Sequence, residues 1–532
     1  MRTASITVHL QRPIATIQPQ LHGQFIEHLG TCIYDGIWVG ERSSIPNING
    51  IRRSVVEALQ QLHAPVIRWP GGCFADGYHW EDGIGPREQR PVRVANRWGL
   101  DEIESNGFGT HEFLDLCRLV GAEPWINGNL GGGTPRELSE WVEYCNYAGN
   151  TTITQRRVVN GAPEPFGVRF WGIGNESWEC GGKFHPETYA DAYKRFESHF
   201  PRFEGQPLFL IACGPDGNKP HENAAWTEGF FKRLSEWRWP RIHGYDAHFY
   251  TWNVRFGSGQ APMEAVAGSA TDYTVDQWYQ LIADSLEIEE LILQQRALLD
   301  EFDPDRAIGL VIGEWGVWHP PTPGQPLLWQ QSALRDGLIA ALTLDVFHRH
   351  ADKVVMATLA QTVNVLHALI LTDGERTLLT PSYHVFDMYQ GHRGGQSLRV
   401  DFAAEEISFG ATDHDQHLPT LHGSASIKDG TLTLSVVNLH TDDRVDAEIT
   451  IDGGAADEIS LAWLSHTDIL AHNTFDQPNT LVPQRDTLPA LPPGPWRHTF
   501  PPASVSVFTV RLAGYQDDRP RADGAKIGDT DH

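Results

Sequence analysis

The stretch Phe170-Trp-Gly-Ile-Gly-Asn-Glu-Ser-Trp178 ends a short, mostly apolar run, residues 168–173, in a glycine, an amide and a carboxylate flanked by tryptophans. Taken alone, Asn175-Glu176 reads in two ways: as a helix cap following a strand, or as a proton-transfer group that a strand end presents to a sugar oxygen. The segment is not solitary. Gly309-Leu-Val-Ile-Gly-Glu-Trp-Gly-Val-Trp318 repeats its grammar, and helix-like stretches alternate with other short apolar runs that end in polar or glycine residues. The strands assigned this way are residues 24–27, 65–68, 124–127, 169–174, 208–212, 243–250, 307–314 and 354–361. Between them, Thr134-Pro-Arg-Glu137 is a helix start, with Thr as N-cap, Pro in the first turn and Glu closing a capping box. Leu138, Trp141, Val142 and Cys145 then share one face. Residues 275–302 and 338–347 read as further amphipathic helices.

Eight strand–helix alternations predict an α/β protein with a (β/α)8 TIM barrel, whose chemistry gathers at the carboxyl ends of the strands. A doubly wound open sheet is the competing topology, but no G-x-G-x-x-G follows the first strand. Past about residue 388 the pattern changes to strands alone: 397–402, 424–428, 431–438, 447–451, 459–464 and 504–512, with Asp429-Gly430 as a two-residue hairpin turn. This predicts an antiparallel, jelly-roll-like β-sandwich, joined by the alternating segment 6–10. The expected organisation is an N-terminal strand segment (1–20), a catalytic barrel (21–385), a sandwich (386–515) and a disordered tail (516–532). A Pro-rich loop lies at 489–495.

Bulk properties narrow the class of partner. Of 532 residues, 41 are Lys or Arg and 68 are Asp or Glu, a formal charge of −27 that disfavours nucleic acid and anionic membrane surfaces and suits a neutral ligand. Eighteen tryptophans fit sugar stacking, although a large core also consumes them. The first twenty residues hold no apolar core of signal-peptide length, and no window approaches a membrane span. Cys32, Cys73, Cys117, Cys145, Cys180 and Cys213 show no CxxC spacing and read as reduced, mostly buried thiols. Asn175-Glu176-Ser177 is formally a glycosylation sequon, and a glycan there would ruin a site. Both points lead to an expected cytoplasmic location.

The two carboxylates belong together. Glu176 ends the fourth strand and Glu314 the seventh, and in a closed barrel these ends face each other across the mouth. Hydrolysis of a glycosidic bond needs such a pair, one carboxyl to protonate the leaving oxygen and one to attack the anomeric carbon, about 5–5.5 Å apart in retaining enzymes. Each Glu alone has a second reading, as a buried ion-pair member of the barrel rim.

The motifs FWGIGNESW (170–178), GEWGVW (313–318), RWPGGCFADGYHWEDGIGP (68–86), residues 23–30 and AQTVNV (360–365) resemble the α-L-arabinofuranosidases of glycoside hydrolase family 51, over essentially the whole chain before its tail. The resemblance implies a barrel plus β-sandwich, exo-acting hydrolysis of terminal arabinofuranosyl groups with retention, and no cofactor or metal. Glu176 is implied as general acid/base and Glu314 as nucleophile. The family more often carries Asp or Glu before that nucleophile and Asn after the Trp, where Gly313 and Gly316 stand here. Asn175 is suited to the sugar 2-OH. Tyr250 is implied to touch the nucleophile, and His248, two residues earlier, points to the same face. Glu27, Arg68 and Gln361 match positions of the arabinose subsite, with Arg68 alternatively an ion-pair partner of the carboxylates. Cys73 is expected to contribute backbone between glycines rather than sulfur. Trp80, Trp98, Trp178 and Trp318 are candidate stacking residues. The expected partners are arabinose-containing oligo- or polysaccharides, and the family implies a homo-oligomer, often a hexamer. Another two-glutamate barrel glycosidase (a β-xylosidase or endoglucanase) and a non-catalytic carbohydrate-binding barrel are the alternatives. His348-Arg-His350 is read as helix-end capping, and Gly131-Gly132-Gly133 as a close-packed turn under the site.

Overall fold

A computed structural model describes residues 2–95, 102–255, 264–410, 416–488 and 494–514. Trp98, the tail at 516–532 and most of the Pro-rich loop fall outside the described residues.

The first strand, β1 (Arg2–Thr16), belongs to the sandwich. Eight strands then form a closed barrel in sequential order: β2 (Gly23–Phe25), β3 (Val66–Trp69), β4 (Glu123–Gly128), β5 (Phe170–Ile173), β6 (Phe209–Asp216), β7 (Gly244–Trp252), β8 (Gly309–Trp318) and β9 (Val354–Ala360). All neighbouring pairs are parallel. The barrel is filled, not hollow: Val66, Trp125, Phe170, Phe209, Ile211, Val311, Val355 and Met356 pack together inside it. Each predicted strand overlaps its observed counterpart, because a strand buried on both faces must be apolar along its length and must stop where polar groups meet solvent.

Nine strands build the second sheet, in the order β15 (Gln484–Leu488), β14 (Ala456–Ser465), β17 (Ser504–Leu512), β12 (Thr431–Asn438), β11 (Leu421–Lys428), β10 (Gln396–Ala404), β1, β13 (Val445–Asp452) and β16 (Trp496–Phe500). It closes over its own core, in which Ile6, Val8 and Leu10 of β1 meet Leu434, Ile449, Phe500 and Phe508. β1 pairs antiparallel with β10 and parallel with β13, so the two ends of the chain share one sheet. Strands β15 and β16 escaped the sequence reading. The exposed β15, Gln-Arg-Asp-Thr-Leu, carries no apolar alternation to signal it.

Two helix readings need correction. Thr134 does cap the helix Pro135–Asn146 by accepting from the N–H of Glu137, but the Glu137 carboxylate meets His79 at 2.8 Å instead of closing a box. The helix Leu334–Arg349 does close on His350 as its C-cap, as read, but the His348 ring is turned away from the helix end: it contacts His22 (3.0 Å) and Ser424 (3.0 Å) in a buried seam between barrel and sandwich.

Candidate active site

At the carboxyl ends of the barrel strands lies a cavity of about 750 Å³ that takes in Glu27, Cys73, Glu176, His248, Tyr250 and Glu314. A shallower depression of about 990 Å³ beside Glu81, Gln155 and Arg156 has no converging acids.

Glu314 is buried and held from three sides. Arg68 reaches one carboxylate oxygen at 2.9 Å, the Tyr250 hydroxyl donates to the other at 2.7 Å, and His248 Nδ1 stands 3.6 Å away. Burial alone would raise its pKa, but His248, Arg68 and Tyr250 overcome that and hold it below the usual carboxylate value. Glu176 is treated oppositely. Burial first, and the charge of Glu314 second, raise it, with His248 pulling the other way from 3.0 Å. One oxygen of each glutamate lies within 4.8 Å of the other and of a His248 nitrogen. His248 itself is raised to about 10: burial works against its charge, but Glu314, Asp246 and Glu176 outweigh it.

The turn carrying Glu176 is strained and well tied. Glu176 sits at φ +39°, in the left-handed region that side chains avoid. Its carbonyl accepts from the N–H groups of Glu179 and Gly181. Next to it, the Asn175 N–H donates to Asp76 at 3.0 Å, and the other Asp76 oxygen accepts from Leu130 and Gly131. The glycine run 131–133 is thus a packed turn, as read, but its anchor Asp76, inside the quoted motif 68–86, was not singled out from the sequence. Arg68 also donates to the Asn175 side-chain oxygen, and its guanidinium lies over Phe25 and Trp125 at 4.6 and 5.0 Å.

The cysteine reading holds for four of the six and is overturned for the pair at this point. Cys73 and Cys180 form a disulfide, while Cys32, Cys117, Cys145 and Cys213 are free and buried. The bridge spans 107 residues of sequence, a proximity that only folding creates. Its sulfurs lie 3.6 and 3.4 Å from one oxygen of Glu176. They carry no hydrogen to donate and, bonded to each other, are not metal ligands. Cys73 therefore brings its sulfur to the cavity wall, and the main-chain donors beside it are those of its neighbours. The flanking Gly72 and Phe74 N–H groups donate to Glu27 at 3.0 and 3.1 Å, and Gln361 donates to the other Glu27 oxygen at 2.8 Å. Burial, then Glu314, raise Glu27 to about 7.

Of the tryptophans, Trp178 lines the cavity with its indole N–H on the Gly214 carbonyl. Trp318 stacks on Trp252 at 4.7 Å and meets the edge of Tyr250. Trp252, also in the cavity wall, was not singled out from sequence because it lies past the strand end that the apolar run suggested. Trp80 is not at the pocket: it is buried between Trp141 and Tyr144.

Two glutamates of opposed proton affinity, ringed by polar side chains and an aromatic wall, are an arrangement suited to glycosidic hydrolysis. Comparison with known proteins agrees. Residues 58–265 match the family described as Alpha-L-arabinofuranosidase 1 domain and residues 313–504 the Alpha-L-arabinofuranosidase C-terminal domain. The chain is 40% identical to an intracellular exo-alpha-L-arabinofuranosidase of Bacteroides ovatus over 91% of its own length and 90% of the relative's. It superposes on the crystal structure of the GH51 arabinofuranosidase from Xanthomonas axonopodis pv. citri with a TM-score of 0.89 at 36% identity, covering 96% and 100% of the two chains. For an arabinose complex of the Thermotoga maritima alpha-L-arabinofuranosidase the values are 0.79, 32%, 96% and 100%. Site and similarity converge: the chain belongs to the α-L-arabinofuranosidases of glycoside hydrolase family 51.

Proposed function

We propose that the enzyme removes terminal arabinofuranosyl groups from arabinose-containing oligo- or polysaccharides, exo-acting and with retention, through Glu314 as nucleophile and Glu176 as acid/base. The observation that carries this is the pair itself: oxygens within 4.8 Å, one carboxyl held ionised and the other pushed towards protonation. Glu314 attacks the anomeric carbon while Glu176 protonates the departing oxygen. Once Glu314 is esterified its charge is gone, and so is one cause of the raised pKa of Glu176, which then deprotonates water for the second displacement. Asn175 faces the 2-OH, and Glu27 and Gln361 take further hydroxyls. Exo action is supported by the name of the Bacteroides ovatus relative, as is a cytoplasmic location; cell fractionation tests the latter. Self-association is supported by exposed Val92, Val94 and Ile103, of which Val94 and Ile103 are paired across two short antiparallel strands, and light scattering measures it.

Proton NMR of the first-formed sugar decides the stereochemistry, with retention expected and inversion refuting the mechanism. Glu314→Ala and Glu176→Ala are expected to lower turnover by about a thousandfold or more; a loss within tenfold would remove these roles. Faster release of 4-nitrophenol from the β-xyloside than from the α-L-arabinofuranoside would transfer the assignment to a xylosidase.

A further inference from the structure

Strict alternation along β8 puts Glu314 on the wrong face. Val311 packs inside the barrel, and a Cβ on Gly309 would meet Val355 of that same interior cluster. Residues 309, 311 and 313 therefore face inward, and 314 would face the helices. The ladder breaks this parity. Against β7, Ala247 pairs with Ile312 but His248 with Glu314; against β9, three steps from Ile312 to Trp315 match two from Ala357 to Leu359. Gly313 is the extra residue of a β-bulge, and the bulge turns Glu314 into the mouth.

A bulge leaves its backbone polar groups without ladder partners, and buried ones must be satisfied otherwise. Here side chains do it. The Gly313 carbonyl accepts from Arg68 (2.9 Å) and from the Thr358 hydroxyl (2.5 Å), and its N–H donates to Asp246 Oδ1 at 2.5 Å. Asp246 is buried. Its carboxylate occupies the space that a side chain at 313 would need: a Cβ there would lie 2.3–2.6 Å from three Asp246 atoms. The second oxygen, Oδ2, is 3.3 Å from His248 Nε2, whose Nδ1 contacts Glu176.

We infer that Asp246 is the positioning residue of the catalytic pair, one oxygen fixing the bulge that aims Glu314 and the other holding His248 against Glu176. Asp246 touches neither glutamate, so it acts through the bulge and the imidazole. The inference rests on the roles given above to Glu176 and Glu314.

Asp246→Asn keeps the size and an acceptor for the Gly313 N–H but removes the charge facing His248; Asp246→Ala removes both. His248 is faced by Asp246 from its own strand, Glu314 from β8, Glu176 from the turn after β5 and Asp216 from β6. Losing one of these anions lowers the proton affinity of its ring. The expected result is that Asn lowers kcat about tenfold or more and Ala about a hundredfold or more, with KM within about threefold. In Asp246→Asn, the His248 imidazole resonances, assigned by loss in His248→Gln, titrate at least one pH unit lower than in the parent. If Ala does not fold, Asn alone decides. The inference falls if Asn keeps kcat within twofold, if the loss appears in KM, or if the His248 titration stays put. Glu314→Ala and Glu176→Ala run alongside: their failure to inactivate would sink the mechanism, whereas their inactivation beside an active Asp246→Asn would sink only this inference.

Discussion

Tyr250 is the most economical test of how single residues tune the site. Its phenol is pushed well above the usual tyrosine value, first by burial and then by Glu314 and Glu176, so it remains a donor. Its hydrogen bond to Glu314 helps keep that carboxyl ionised. Tyr250→Phe should raise the pKa of Glu314, moving the acid limb of kcat/KM to higher pH and lowering kcat by about 10- to 100-fold. An unmoved acid limb would show that the phenol does not tune the nucleophile. At this scale the sequence was informative for residues where apolar runs stop, such as Glu176, Tyr250 and Gln361, because the carboxyl end of a barrel strand has one destination. Asp76 and Asp246 were not singled out. Each is an ordinary acid in sequence, and its importance lies in which N–H groups happen to meet it.

Among the elements, the loop after β3 comes closest to the chemistry as main chain. A Cβ on Gly72 would lie 2.5 Å from a Glu314 oxygen, so only glycine lets this loop pass under the nucleophile. Gly72→Ala is expected to displace Glu314 and cut kcat about a hundredfold; normal kcat would mean the loop simply moves aside. The disulfide ties this loop to the turn that holds Glu176 in its left-handed conformation. Replacing both Cys73 and Cys180 by Ala is expected to cost about 2–4 kcal/mol of stability, read as a lowered melting midpoint, together with slower turnover. Unchanged turnover would show that the turn keeps its shape without the bridge. Helices and strands were legible from period and caps, whereas loop contacts between residues a hundred positions apart were not.

For the whole molecule, the seam between barrel and sandwich buries a carboxyl that is expected to make stability depend on pH. Asp345 on the helix Leu334–Arg349 accepts from Ser424 and Ser435 of the sandwich and from Tyr389. Burial raises its pKa from 3.8 to about 6, partly offset by the serines. A raised carboxyl adds stability below its unfolded pKa and loses it as pH rises through the folded value. Between pH 4 and 6 the parent should therefore lose roughly 1.4 kcal/mol per pH unit relative to Asp345→Asn, measurable in parallel thermal melts. A constant difference over that window would show that Asp345 keeps its ordinary pKa.

The sequence by itself determined the eight strands and marked the glutamates at which the apolar runs of the fourth and seventh stop. Those follow from where apolar runs stop, and burial in a closed barrel leaves few alternatives. It also marked β1 and the later strands as half-buried by their alternation. Only the tertiary structure decided which way Glu314 faces. By alternation alone it points away from the mouth, and one extra residue at Gly313, pinned by Asp246, Arg68 and Thr358, reverses it. The physical reason is that side-chain direction has a period of two along a strand, while the bulge that shifts it is held by partners from three other strands that no local pattern reveals.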